Sequence, residues 1–267
     1  MFKTRLLSGI VLVILALILI ITGGNLLWCS LMVISLVGMF ELYRVFHIEK
    51  SAPGFAGYLA AIVFYLNLQL HFLPDSMLFV MGILVSLMFV YVFTYPKYKT
   101  EQILAAFFGV FYVAVMISCV FQTRMLPNGA YIVWLIFLCS WGCDTCAYCV
   151  GVLIGKHKMS PKLSPKKSVE GAVGGVVGSI LLTVIYCTIF KSAMDISQME
   201  IGILAAISGV GALISMVGDL TASAIKRNYD IKDYGTLIPG HGGILDRFDS
   251  VIFTAPIIYY LASYLMK

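Results

Sequence analysis

Stretches of about twenty apolar residues recur along this chain, and they dictate most of what it can fold into. A run of that length matches the thickness of a bilayer, and only a helix satisfies all its own backbone hydrogen bonds there. Nine such runs are readable: 6–22, 26–46, 55–72, 77–95, 103–121, 130–154, 171–190, 201–225 and 250–266. The first is short at its polar edges, and the third carries Asn67 and Gln69. Polar breaks separate them, among them Gly23-Gly24-Asn25, Pro53-Gly54, Pro74-Asp75, Pro96-Lys97 and Pro127-Asn128-Gly129. The chain is 61% hydrophobic and 12% charged, against about 45–50% and about 25% in soluble domains. The expected fold is therefore an all-α integral membrane protein, a polytopic bundle of about nine transmembrane helices. The Leu6–Ile21 run has a basic start but no small-residue cleavage site after it, so it reads as a retained first helix.

Charge sets the expected orientation. With the N-terminus in the cytoplasm, nine crossings place every Lys and Arg except Arg124, Lys191 and Lys267 on the cytoplasmic side. That is a strong positive-inside bias, and an even number of spans would spoil it. The net charge of +5 thus reflects membrane edges, lipid and phosphate rather than nucleic acid. The chain reads as a single membrane domain, 1–267, with scaffold helices in 1–129 and the chemistry in 130–267. The seven cysteines are odd in number and lie nearly all in apolar runs, which argues against a disulfide framework. Cys139, Cys143, Cys146 and Cys149 imitate a metal motif, but one helix cannot wrap a metal tetrahedrally. They read as small packing residues.

Polar residues at depth mark the candidate site. Asp144 lies in the sixth run and Asp219 in the eighth, each at a cost of about 2.5–3.5 kcal/mol near the bilayer centre. A structural hydrogen bond between helices would explain one such residue. Asp219, Ser223 and Lys226, however, share a helical face, and Asp144, Tyr148 and Gly151 repeat the spacing. The loop 155–170 carries Lys162, Lys166 and Lys167 beside Glu170, at the expected start of a helix. Lysines at a helix N-terminus suit polyphosphate, although ordinary positive-inside charge would supply lysines too. The twin turns Ser160-Pro161 and Ser164-Pro165 are not explained by charge alone. Beyond Lys226-Arg227, the turn Pro239-Gly240-His241-Gly242-Gly243 can offer successive N–H groups to an anion. Asp246 and Asp249 follow one helical turn apart, with Arg247 between them. Together with Asp219 they form an oxygen-rich set suited to Mg²⁺.

The run Ser223, Lys226-Arg227, Lys232-Asp233, Gly235, Ile238-Pro239, His241-Gly242-Gly243, Asp246-Arg247 and Asp249 resembles the signature of the phosphatidate cytidylyltransferases, or CDP-diacylglycerol synthases. Asp144 with Tyr148, and Pro165 to Gly171, resemble two further blocks of that family. Ser168-Val169 stand where the family has Thr-Trp most often. The resemblance implies transfer of CMP from CTP to phosphatidic acid, giving CDP-diacylglycerol and pyrophosphate. It implies Mg²⁺ held by Asp219, Asp246 and Asp249, with a second cation as a further expectation. Lys226, Arg227 and Arg247 are expected to neutralise lipid phosphate and developing charge, and Lys166 and Lys167 to contact the triphosphate, oriented by Glu170. Ser223, His241, Gly242 and Gly243 would place donors on phosphate oxygens. Asp144 and Tyr148 would line the cavity, and Lys232 and Asp233 complete the substrate-binding set. The expected partners are CTP, phosphatidic acid within the bilayer and a second copy of the chain as a homodimer. The expected location is the plasma membrane, multi-pass. Two rivals are a CTP-dependent polyprenol or phytol kinase and an ion-coupled transporter. The transporter would show inverted repeats and broken helices, which the sequence lacks.

Overall fold

The structure is a computed structural model and describes residues 2–73 and 76–265, with side chains for 8–73 and 77–265. Pro74-Asp75, Lys267, the end of the ninth run at 266 and the side chains of Lys3 and Arg5 lie outside the described residues. Nine long helices follow the apolar runs among the described residues: α1 (Phe2–Thr22), α2 (Gly24–Val45), α3 (Ala52–Leu70), α4 (Ser76–Phe93), α5 (Thr100–Arg124), α6 (Gly129–Ile154), α7 (Val169–Ile189), α8 (Gln198–Asn228) and α9 (Leu245–Leu265). Among the described residues, seven of these, α2, α3 and α5 to α9, are long and apolar enough to cross a membrane. Shorter apolar stretches, Ser8–Thr22 and Met77–Phe93, lie within α1 and α4. The protein is an all-α polytopic membrane protein. The strands described are a two-stranded antiparallel hairpin, β1 (Lys158–Ser160) and β2 (Ser164–Ser168), in the lysine-rich loop.

Local chemistry sets the helix ends. Ser51 caps α3 by accepting from Gly54 N at 3.2 Å, with Pro53 in the first turn where no N–H is needed. Ser168 caps α7 by accepting from Gly171 N at 3.1 Å. Ser197 and Glu200 exchange side-chain-to-backbone bonds at the start of α8. Two helices contain π-helical stretches, Val110–Val115 in α5 and Leu138–Gly142 in α6. The second ends immediately before Cys143 and Asp144, and Ser179 Oγ donates to the Leu138 carbonyl at 2.8 Å.

The chain groups into two compact units, Met1–Ser118 with Asp233–Asp246, and Cys119–Lys232 with Arg247–Lys267. In the first, Tyr43 lies against two glycines. A Cβ on Gly57 or Gly109 would stand 2.2 Å from its ring or hydroxyl, and the hydroxyl donates to Ala106 O at 2.6 Å. In the second, α7 presents one stripe of small residues inward, Gly171, Gly175, Ser179, Thr183 and Cys187, and an exposed branched stripe, Val173, Val177, Leu181, Ile185 and Ile189. Apolar side chains turned outward are what a lipid solvent calls for. The small stripe lets α6 approach closely: a Cβ on Gly175 would stand 2.9 Å from Cys143 Sγ, and one on Gly178 would stand 2.6 Å from Cys146 Sγ. These two thiols therefore act as small packing groups, and all seven cysteines are free.

Candidate active site

The second unit contains a cavity of about 500 Å³ where α6, the hairpin, α7 and α8 meet. Asp144, Tyr148 and Gly151 line it from α6, so the stripe read from their spacing does face one space. The hairpin contributes Lys158, Met159, Lys166, Lys167 and Ser168, and α8 contributes Met216 and Asp219. Ser223 and Lys226, one and two turns beyond Asp219, are not among its lining residues.

Charge alternates across this space. Lys167 forms an ion pair with Asp219, each side chain about a quarter exposed. Asp144 lies within electrostatic reach of Asp219, Lys167 and Arg247, and the Ser250 hydroxyl donates to it. Asp249 feels Asp219, Asp144 and Lys226, and its Oδ1 accepts from Ser250 N at 2.8 Å. Gly218 is what permits this closeness. A Cβ there would stand 2.8 Å from the Asp249 carbonyl and 3.0 Å from Phe253, so α8 touches α9 one residue from Asp219. Arg247 Nε is buried without a hydrogen-bond partner among the described residues. Among the same residues, no three His, Cys, Asp and Glu side chains group closely enough to hold a metal by themselves.

Glu170 holds the hairpin rather than touching the lysines directly. Its carboxylate accepts from Lys156 N at 3.1 Å, from His157 N at 3.2 Å and lies 2.6 Å from His157 Nδ1. His157 O in turn accepts from Val169 N at 2.9 Å. With Lys158 paired to Ser168 and Ser160 to Ser164, the Ser-Pro turns and Glu170 together fix where Lys166 and Lys167 emerge. At the end of α8, Ile231 N returns to Lys226 O at 2.9 Å and Arg227 Nη1 donates to Ile231 O at 3.4 Å. Lys232 follows in an exposed position.

The first unit holds the glycine turn. Ile238 and Gly242 pair across it, His241 N donates to Ile238 O at 2.9 Å, and Gly240 and Gly242 take φ of 79° and 84°. Those positive angles are what require glycine. Asp246 Oδ2 accepts from Tyr234 N at 2.8 Å and from Gly243 N at 2.9 Å. The Gly243 N–H, expected to face phosphate, is thus taken up inside the turn. Asp233 lies beside Gly242.

The sequence reading missed Glu41. This buried carboxylate in α2 accepts from Ile244 N at 3.0 Å and Leu245 N at 2.8 Å, capping α9 from a different span. A Cβ on Gly235 or Gly243 would stand 2.4 Å from it. One turn on, Arg44 donates to the Tyr234 carbonyl. The signal was present: Glu41 is the single acid within the first five apolar runs, where a carboxylate needs a reason to be.

Comparison with known proteins adds an independent line. A model of the cytidylyltransferase family matches residues 3–265. The chain is 32% identical over 265 residues to a phosphatidate cytidylyltransferase of Bacillus subtilis (strain 168), covering 97% of each. It is also 32% identical over 267 residues to a protein of that name in Staphylococcus aureus (strain COL), covering 97% of this chain and 98% of the other.

Proposed function

The chain belongs to the cytidylyltransferase family, and from that premise we propose that it transfers CMP from CTP to phosphatidic acid, giving CDP-diacylglycerol and pyrophosphate. The observation that carries this reading is the cavity in which Lys166 and Lys167 face Asp144 and Asp219 among apolar membrane helices. A lipid phosphate and a nucleotide triphosphate both need their charge neutralised before they can meet, and this space holds the groups to do it.

The nucleophile is a phosphate oxygen of the lipid, already anionic at neutral pH, so no strong base is called for. It attacks the α-phosphorus of CTP. The bond from that phosphorus to the α–β bridging oxygen breaks, and pyrophosphate leaves with the electron pair. Alignment and electrostatic stabilisation therefore supply most of the acceleration. Lys166 and Lys167 receive the triphosphate, and Lys167 exchanges Asp219 for phosphate oxygens as it does so. Lys226, Arg227 and Arg247 neutralise the lipid phosphate. Tyr148 and Met159 give the cavity an apolar wall, and Ser223, Lys232 and Asp233 complete the binding set. The family resemblance adds His241 and Gly242 of the glycine turn as donors to phosphate.

The carboxylates fit magnesium, which takes one or two of them and leaves its other positions to water and substrate phosphate. Asp219 and Asp249 would hold it. The sequence reading adds Asp246, whose Oδ2 also shapes the turn. When bound, the ion supplies charge neutralisation and polarisation of phosphate oxygens. The lysine distribution supports a cytoplasmic hairpin and N-terminus at a plasma membrane. The test is incubation of purified protein with phosphatidic acid, labelled CTP and Mg²⁺. CMP retained on the lipid is the expected product. Phosphate transfer with release of CDP would replace this reading with that of a lipid kinase.

A further inference from the structure

Where the lysine-rich hairpin meets α7, the start of the helix has little left to offer an anion. Val169 N donates to His157 O at 2.9 Å, Glu170 N turns back to its own carboxylate, and Gly171 N donates to Ser168 Oγ at 3.1 Å. These first N–H groups, which ordinarily attract phosphate to a helix start, are consumed by the fold. An anion in the adjoining cavity must therefore be held by side chains. Three lysines line that cavity, Lys158 from β1 and Lys166 and Lys167 from β2. They are not equivalent. Lys167 Nζ is buried and closed on Asp219. Lys158 and Lys166 are exposed, and neither forms an ion pair among the described residues. Lys156 and Lys162 belong to the same loop but are not among the cavity's lining residues. A surplus of cytoplasmic lysine accounts for charge on the loop. It does not account for two uncompensated cations lining one cavity from adjacent strands.

We propose that Lys158, which no motif in the sequence marks, acts with Lys166 to bind the terminal phosphates of the nucleotide. The difference in burial sets the direction. Transfer takes place at the α-phosphorus, which belongs at the buried end with Lys167 and Asp219. The two outer phosphates then lie at the exposed end, beside Lys158 and Lys166. There the two lysines neutralise the charge that grows on the leaving pyrophosphate. The assignment to particular phosphates rests on the transferase reading above; the binding of a polyphosphate by Lys158 does not.

The test measures binding and turnover separately, on full-length protein in detergent micelles. Titration calorimetry with inorganic tripolyphosphate in Mg²⁺ buffer reads the site without nucleoside or lipid. Lys158→Gln should weaken tripolyphosphate binding about ten-fold, the scale of one charged hydrogen bond, and Lys158→Arg should stay within about three-fold of the parent. Lys162→Gln removes an equal charge from the turn between the strands, outside the cavity, and should change the affinity by less than about two-fold. In the transferase assay Lys158→Gln should raise KM for CTP and the inhibition constant for pyrophosphate together, each about ten-fold, with KM for phosphatidic acid within about two-fold. Tripolyphosphate binding that is absent in the parent, or indifferent to Lys158→Gln, overturns the proposal. So do equal losses in Lys158→Gln and Lys162→Gln, which would reduce the effect to bulk charge, and so does an unchanged inhibition constant for pyrophosphate or a loss confined to phosphatidic acid. A parent protein that binds tripolyphosphate through Lys158 yet makes no CDP-diacylglycerol overturns the transferase reading and leaves the binding role of Lys158 standing.

Discussion

Two side chains illustrate how differently a carboxylate can serve in this protein. Asp219 and Lys167 form an ion pair whose side chains are each about a quarter exposed, with Lys167 Nζ itself buried. Its importance is positional. Replacing Lys167 by Met leaves Asp219 and Asp144 without their shared cation and, on the proposed reading, removes a phosphate contact, so kcat/KM should fall about a hundred-fold or more. Asp219→Asn should be as impaired. Combining the two should leave thermal stability near that of the parent while activity stays lost. Recovery of turnover in the double variant would refute a direct role for either group. Glu41 is the contrasting case, a buried carboxylate that accepts hydrogen bonds from two backbone N–H groups. Glu41→Ala orphans two donors at the start of α9 and should destabilise by about 2–4 kcal/mol. Limited proteolysis should then cut between 239 and 243, where the parent resists.

At the level of elements, close backbone approach and local anchoring explain where the chemistry sits. Gly218→Ala sets a Cβ 2.8 Å from the Asp249 carbonyl, which is backbone and cannot swing aside. The substitution should therefore part α8 from α9, costing about 1–3 kcal/mol, and lower kcat along with the melting temperature. The hairpin behaves differently, because most of it is exposed or only half-buried. Glu170→Ala should raise KM for CTP about ten-fold through loss of its charged hydrogen bonds, with little change in melting temperature; an unchanged KM would dissociate the hairpin from nucleotide binding. The helices were legible in the sequence because run length and polar breaks are local properties. So was the Asp144, Tyr148 and Gly151 stripe, which starts just after the π-helical stretch and is not put out of phase by it. Glu41 was not legible in the same way. It acts on residues more than two hundred positions away, and no local pattern announces such a pairing. Glu170 was legible as a member of the loop, but its hold on Lys156 and His157 depends on a hairpin that only the folded chain displays.

For the whole molecule, lipid and charge set the constraints. In a cysteine-free background, Lys158→Cys is expected to react with a membrane-impermeant maleimide in inside-out vesicles and to stay unreactive in intact cells. The reverse pattern would move the hairpin to the other leaflet and separate it from cytoplasmic CTP. Chelation of divalent ions should abolish CMP transfer, and added Mg²⁺ should restore it; full activity in excess chelator would remove the cation from the proposal. One feature of the pocket bears on what can occupy it. Lys158 and Lys166 line the cavity beside an ion pair in which Lys167 is closed on Asp219. A lone phosphate gains Lys167 only by stranding Asp219, and a lone cation gains Asp219 only by stranding Lys167. On the proposed reading, a triphosphate arriving with its counter-ion would satisfy both partners in one event, so the pair would favour metal-bound nucleotide over either ion alone.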